Sequence, residues 1–491
     1  MKKLLCLAPL MLAGCTVGPN YAEPKMPTPP TYAETQGSEP TPDLQGWWHD
    51  WHDAELDRLI AMGLAGNPDV QSAIARIRES RAQITVARSA YFPQVNASGG
   101  TNYEKFSKNA GLSSLASLLG GGASAGGGSA GNANGIALPG DSITVYSAGF
   151  DASWELDVFG GTRRAVQGAR ARAEAAVWSA RDAQLSLIAE IVDAYLQLRT
   201  LQARETIARA EVDRQTKRLA ILEHTAQSGL TPQGDFIRQR AGLAQALAAV
   251  SPIVAEGKAQ MHGLAILVGA TPDTLIAELT TTSPPLPAPP VVPAGLPSQM
   301  LRRRPDVRMA ERQLAAATAD VGVAVADLYP RFTLTGGAQL ISTALGNLFT
   351  GDSLQLTGAA QAMFPVLDWG KRKATVRQRK AQAQEAYYAY QKTVLGALRD
   401  VEDALIRIRS EQERNLALQG GLADATRAVQ VVQSRQASGL VDYSAVLDAQ
   451  QQEITTRDSL IQSDGALRRD MLALTKALGG GWEGLPPPAN P

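Results

Sequence analysis

Residues 431–450 read VVQSRQASGLVDYSAVLDAQ, and residues 221–240 read ILEHTAQSGLTPQGDFIRQR. Both are centred on Ser-Gly-Leu, at Ser438-Gly439-Leu440 and Ser228-Gly229-Leu230, 210 positions apart. The correspondence spreads outward from these turns. Ile191-Val192-Asp193-Ala194 answers Val401-Glu402-Asp403-Ala404, Arg199 answers Arg409, and Leu264 with Gly269 answers Leu474 with Gly479. Further upstream, Pro68-Asp69-Val70 matches Pro305-Asp306-Val307, Val86-Ala87 matches Val323-Ala324, and Gly99-Gly100 matches Gly336-Gly337, now at an offset of 237. The chain is an internal duplication, which sets its architecture before any local reading does. Since 237 minus 210 is 27, the first copy carries 27 extra residues, and they fall in Asn109 to Gly140, almost pure Gly, Ser, Ala, Asn and Leu. That composition offers too little apolar surface to offset the entropy of ordering it and reads as a mobile loop.

Each copy holds a long run suited to helix. Gly370 to Gly480 contains no proline, and Ala169 to Ser228 contains neither glycine nor proline. Ile188, Ile191, Tyr195 and Leu198, answered by Leu398, Val401, Leu405 and Ile408, have the three-four-three spacing of a coiled-coil seam. A long helix returning at a tight glycine turn, twice per chain, predicts two helical hairpins. Helices are also expected from Asp69 to Ala90 and from Asp306 to Leu328, each just after a proline that suits a first turn.

Between these helices the pattern changes to period two. Val95, Ala97 and Tyr103 alternate with Gln94, Asn96 and Glu104, and Tyr146, Phe150, Trp154 and Leu156 alternate with Ser147, Asp151, Ser153 and Glu155. In the second copy Phe332, Leu334, Ala338 and Leu340 alternate with Thr333, Thr335 and Gln339, and Leu354, Leu356, Ala360 and Phe364 with Gln355, Thr357 and Gln361. Four strands in two hairpins, each long enough for a bilayer crossing of roughly 9–11 residues, follow. The polar second face suits a water-filled lumen, while Phe150 and Trp154 suit an interfacial girdle. Four strands cannot close a barrel, and an open sheet in lipid leaves edge amides unpaired, so other copies must supply the rest. Three copies would supply twelve strands.

Aromatic content is 5%, which favours helical rods over a thick core. No run of 18 consecutive apolar residues follows the start of the chain, so strands are the only candidates for crossing a membrane. Residues 1–14 read as a signal peptide: Lys2 and Lys3, the apolar stretch Leu4 to Leu12, then Leu12-Ala13-Gly14-Cys15. The ending resembles a lipoprotein box with Cys15 as the acylated residue, and Thr16 after it resembles the outer-membrane sorting pattern. Removal of residues 1–14 deletes two lysines and no acid, leaving 45 basic against 47 acidic side chains, a charge of −2. Nothing points to a nucleic-acid partner, and a single remaining cysteine excludes an internal disulfide. Residues 16–46 read as an extended tether. Trp47-Trp48-His49-Asp50-Trp51-His52-Asp53 reads as an aromatic packing anchor, its His-x-x-His lacking a third metal ligand in view. The basic clusters Gly160-Gly161-Thr162-Arg163-Arg164 and Gly370-Lys371-Arg372-Lys373 read equally as sites for anionic headgroups or as solvated helix starts.

Together the lipoprotein box, the Trp-Trp start, the Pro-Asp-Val helix starts, the paired hairpins with Gly-Leu tips and the Leu478-Gly479-Gly480-Gly481-Trp482 ending resemble the outer membrane factors of tripartite efflux systems. This is the TolC/OprM family, and the lipoprotein box resembles its NodT-type members. The resemblance covers Cys15 to Trp482. It implies a mixed α and β membrane protein: a trimeric 12-stranded β-barrel, four strands per protomer, continued by a long α-helical periplasmic tunnel. It implies a tether and equatorial start at 15–66, repeat 1 at 67–270 (β-hairpin 91–159, helical hairpin 162–270) and a proline-rich linker at 271–304. Repeat 2 follows at 305–479 (β-hairpin 329–368, helical hairpin 371–479), with an equatorial tail at 480–491.

The resemblance further implies a homotrimer that docks a periplasmic adaptor at the tips Gly229, Leu230, Gly439 and Leu440, and an inner-membrane pump of the RND type. Asp448 matches a carboxylate that forms a ring at the periplasmic gate. Ser444 stands where a bulky apolar residue is often found, which removes a hydrophobic constriction. Asp235 matches an acid placed for inter-helix pairing, but its usual basic partner is replaced by Val441, and Arg238 stands where the second copy has Asp448. Three carboxylates about a threefold axis repel one another, which raises their proton affinity or recruits a cation and favours a closed mouth when one is bound. The expected function is a passive exit duct for small molecules such as drugs or toxic compounds. The alternatives are the outer membrane duct of a type I protein secretion system and a coiled-coil adhesin. Neither a Gly-x-x-x-x-Gly-Lys loop nor a His-Glu-x-x-His or Gly-x-Ser-x-Gly motif is present. An enzyme, a metal site and a cofactor are not expected.

Overall fold

The computed structural model describes residues 16–34, 43–105, 107, 142–227, 232–281, 286–290, 293–483 and 485. The signal segment, Cys15, the Gly/Ser/Ala-rich stretch 109–140 and the first tip, Gly229-Leu230, lie outside the described residues. The chain divides into two units, one of residues 1–21, 83–169 and 318–381 and the other of 22–82, 170–317 and 382–491.

The first unit is built on a sheet. Strands β1 (Gln94–Lys105), β2 (Ser142–Leu156), β3 (Arg331–Ser342) and β4 (Leu354–Met363) pair antiparallel in the order β1-β2-β3-β4. The register aligns the apolar sets of all four strands. Ala97 faces Phe150, which faces Ala338, which faces Leu356; Trp154 faces Leu334, which faces Ala360. Side-chain period two then puts these residues on one face and Asn96, Asp151, Thr335 and Gln361 on the other. The apolar face is bare, with Val95, Tyr103, Phe150, Leu354 and Leu356 all exposed. The polar face carries an Asn96 Nδ2 to Asp151 Oδ2 bond of 3.1 Å. Among the described residues both outer strands, β1 and β4, keep an unpaired edge.

The second unit is helical around a core led by Trp47, Trp48 and Trp51 with Leu56, Leu59 and Ile60 of helix α1 (Ala54–Gly66). The tryptophan-rich stretch is thus a packing anchor: His49 pairs with Asp57 at 2.9 Å, and the His52 ring sits 2.7 Å from the Asp50 carbonyl. Helix α2 (Pro68–Ser89) follows. Helices α3 (Gly161–Gln227) and α8 (Lys371–Ala437) are both 67 residues long, about 100 Å at 1.5 Å per residue. Each turns back into a shorter helix, α4 (Gln233–Leu267) or α9 (Tyr443–Leu478), of 35 and 36 residues. Short helices α5 (Ile276–Thr281) and α6 (Pro297–Arg303) precede α7 (Pro305–Ala326).

The expected seam is present in the first copy, where Ile188, Ile191, Tyr195 and Leu198 are fully buried. In the second copy it is corrected. Val394, Ala397, Val401 and Ala404 are the buried stripe, while Leu398, Leu405 and Ile408 are half-exposed. The spacing is kept but the face is rotated, because two stripes of the same three-four-three spacing cross at Val401 and spacing alone does not choose between them. The 16–46 stretch is also more than a tether. Glu402 accepts from the amides of Ala33 (2.7 Å) and Glu34 (3.2 Å), Arg409 pairs with Glu34 at 2.7 Å, and Tyr32 is fully buried.

Helix ends meet in the same way in both copies. Asn67 caps α2 by accepting from Asp69 N (2.8 Å), and its amide donates to the carbonyl of Leu267 at 3.0 Å. At the equivalent place Arg304 donates to the carbonyl of Ala477 at 3.1 Å. Positions 67 and 304 differ by 237 and positions 267 and 477 by 210, the two offsets of the duplication. Each residue captures a carbonyl left open at a helix C-terminus, and so joins two helices end to end. Arg304 does more: it pairs with Asp306 (2.8 Å) and Asp400 (3.3 Å).

Candidate functional site

The ends of the helical hairpins carry most of the expected site residues. At the second tip, Gly439 takes a left-handed φ of 72°. Its amide donates to Gln436 O and that of Leu440 to Arg435 O, both at 2.9 Å, the pattern that closes a helix with glycine. No atom lies within 4 Å of a Cβ built on Gly439, and the Leu440 side chain is 74% exposed. An apolar residue is therefore presented outward on a rigid turn. Asp442 restarts the chain as the cap of α9, accepting from Tyr443 N at 2.6 Å and from the Ser444 hydroxyl at 3.2 Å. Ser444 is thus turned to the cap, and Asp448, one turn on, is exposed.

Asp235 and Arg238 do not pair between helices. They bond to each other within the first turns of α4, with Asp235 buried. The position equivalent to Asp448 is hence a cation paired within its own helix.

The link between hairpins lies elsewhere, on residues that sequence reasoning did not single out. The Tyr443 hydroxyl donates to Gln239 Oε1 at 2.8 Å, and Gln239, fully buried, donates to the carbonyl of Gln215 at 3.1 Å. The Arg218 guanidinium stands 4.4 Å over the Tyr443 ring. Burial pushes the Tyr443 hydroxyl above its usual range, opposed by Arg218 and Arg214. Further along, Arg204 of α3 clasps Asp458 of α9 through two bonds, 2.7 and 3.1 Å. A tyrosine three residues past Leu440, just after an acidic cap, was the available signal, but its partners lie some 200 positions away.

In the first unit the basic cluster after β2 is engaged by residues 16–20. Arg164, 4% exposed, donates to the carbonyls of Val17 (3.2 Å) and Gly18 (3.3 Å) and to Asn20 Oδ1 (2.8 Å), while Arg163 donates to the Thr16 hydroxyl at 2.8 Å. Arg164 is thus buried against residues 17–20, while Arg163 remains exposed. Among the described residues no group of three or more His, Cys, Asp or Glu could hold a metal, and no helix is long and apolar enough to cross a membrane.

A sheet with one apolar and one polar face, two open edges and long helical hairpins has known counterparts. The outer membrane efflux protein family model matches residues 59–252 and 296–480. Nodulation protein T of Rhizobium leguminosarum bv. viciae is 28% identical over 479 residues, covering 96% of this chain and 92% of that protein. The pyoverdine export outer membrane protein OpmQ of Pseudomonas aeruginosa is 28% identical over 486 residues, covering 98% of each. Among solved structures, the outer-membrane channel OprN superposes with a TM-score of 0.84 at 32% identity, covering 96% of this chain and all of that one. The open state of the MtrE channel of Neisseria gonorrhoeae gives 0.79 at 25% identity, covering 95% and 99%.

Proposed function

Because this chain belongs to the outer membrane efflux protein family, we propose that its residues act at three places: a lipid anchor at Cys15, docking tips at the hairpin ends and an acidic ring at Asp448. The protein is an outer membrane channel of a tripartite efflux system. Three copies close a 12-stranded barrel, continued by a helical tunnel into the periplasm. It works with a periplasmic adaptor and an inner-membrane pump.

The observation that carries this reading is the sheet. Its bare apolar face needs hydrocarbon and its polar face needs water, and only closure with further copies leaves no edge amide unpaired in lipid. Exposed Leu395, Ile406, Leu416 and Val431 on α8 are likewise covered by association.

Leu440 offers the adaptor an apolar knob on a glycine turn, and Leu230, its counterpart in the sequence of the first copy, is the other docking position. The pump is of the RND type, and the cargo is a small molecule. The protein does no chemistry of its own; it is a duct whose conductance is set at its mouth. There, exposed Asp448 side chains from three copies gather about the axis, and their mutual repulsion is relieved by a bound cation or proton. Ser444, held by its cap, adds no hydrophobic plug. Planar-bilayer recording of purified trimers tests this: Asp448→Ala raises single-channel conductance and weakens cation preference, and an unchanged conductance refutes the ring.

A further inference from the structure

The duplication supplies an internal comparison at the two places where a β-hairpin passes into a long helix. Phe159-Gly160 ends the first hairpin and Trp369-Gly370 the second, 210 positions apart, and both glycines are left-handed, at φ 81° and 85°. The first junction is covered. Val17 N donates to the Phe159 carbonyl at 3.2 Å, Phe159 stacks on Tyr329 at 4.6 Å, and a Cβ on Gly160 would come within 2.8 Å of Thr16 Cγ2. The second junction has the same turn and no cover. No atom lies within 4 Å of a Cβ built on Gly370, and the Trp369 side chain is 90% exposed.

This exposure is built in. Trp369 has a φ of 54°, a conformation unfavourable for any residue with a Cβ. Asp368 holds the turn there, accepting from Gly370 N at 2.9 Å and Arg372 N at 3.2 Å. Phe364, Val366 and Leu367 are exposed beside it. Phe364 follows the alternation of Leu354, Leu356, Ala360 and Ala362, and Val366 and Leu367 come directly after Pro365 where the strand has ended, so the patch is continuous in the chain with the apolar face of β4. Next come Lys371 and Lys373, both exposed, and among the described residues neither forms an ion pair; Arg372, between them, is engaged with Asp327 O and Asp368.

We propose that this uncovered junction is a phospholipid-binding surface. It seats the Trp369 indole, Val366 and Leu367 at the glycerol and upper acyl level of the inner leaflet, with Lys371 and Lys373 on the headgroup phosphates. An indole with an apolar body and one polar N–H prefers that depth. A lysine near an anionic surface adds attraction that a neutral face lacks. Continuity with the apolar sheet face and the unopposed positive charge together select lipid over a second protein surface. In each protomer, then, one junction is closed by Thr16 and Val17 and the other by lipid. The inference rests on the barrel described above, and its failure would leave that barrel intact.

Two measurements test it on the purified trimer. Of the seven tryptophans, Trp369 is isolated by the difference in emission between the native protein and Trp369→Phe, a substitution at an exposed site. In nanodiscs of phospholipid brominated on the upper acyl chain, that difference signal is expected to lose most of its intensity relative to unbrominated discs. An unquenched signal means that a neighbouring copy covers the indole, and the proposal falls. Separately, the trimer is titrated with phosphatidylglycerol and phosphatidylcholine under native mass spectrometry. Replacing Lys371 and Lys373 by Gln is expected to lower the preference for the anionic lipid by about fivefold per lysine. An unchanged preference overturns the phosphate contacts.

Discussion

Tyr443→Phe removes one oxygen and tests the link between the two helical hairpins. The hydroxyl is the donor to Gln239 Oε1, and Gln239 is fully buried, so its oxygen has no route to water once the phenol is gone. Leaving a buried acceptor unsatisfied costs about 1–3 kcal/mol. The ring stays, and with it the Arg218 contact at 4.4 Å, worth about 0.5–2 kcal/mol. If this contact belongs to the closed arrangement alone, its loss moves the closed-to-open equilibrium of each protomer by roughly 5- to 150-fold. Tyr443→Ala also removes the cation contact and the buried ring, so its effect is larger. The assay is the open probability of single trimers in planar bilayers, with thermal unfolding as a control on the body of the protein. The expected order is wild type, then Tyr443→Phe, then Tyr443→Ala. Wild-type open probability in both variants, or a loss of stability with no change in open probability, refutes a gating role for this link.

Other changes probe the rest of the molecule. Arg204→Gln breaks the clasp on Asp458 and is expected to increase open probability less than Tyr443→Ala does, because this pair is partly solvent-screened, its side chains 26% and 32% exposed. A Cβ on Gly18, at φ 86°, would stand 2.6 Å from Gly322 Cα. Gly18→Val is therefore expected to release the N-terminal segment, seen as lost hydrogen-exchange protection at the Val17 amide, while conductance persists. Asp182 lines a cavity of about 340 Å³ with Arg304, Asp306, Asp400 and Lys476, and its burial, with Asp306 near, holds the carboxyl above the usual carboxylate range. As pH rises the unfolded chain loses that proton first, so this group subtracts stability above the unfolded value of about 3.9 and not below it. Asp182→Asn is accordingly expected to raise the melting temperature at neutral pH and to leave it nearly unchanged near pH ~3.

What the amino-acid order determined by itself was everything with a local period. The duplication, the two long helices and the strand faces are legible from spacing alone, since long proline-free runs favour helix and alternation fixes which side of a strand is apolar. The glycine of the second tip was equally plain, because a left-handed turn admits few other residues. Partnership was a different matter. Asp235 carries the pattern of an inter-helix acid yet bonds to Arg238 on its own helix, and the tie between hairpins falls to Tyr443, Gln239 and Gln215. The second seam kept its spacing and turned its face. Arg164 gave up solvent for residues 17–20, while Lys371 and Lys373 did not. A period constrains one helix or strand through its own backbone, but which surfaces meet depends on packing between segments about 200 positions apart, and only the tertiary structure decides it.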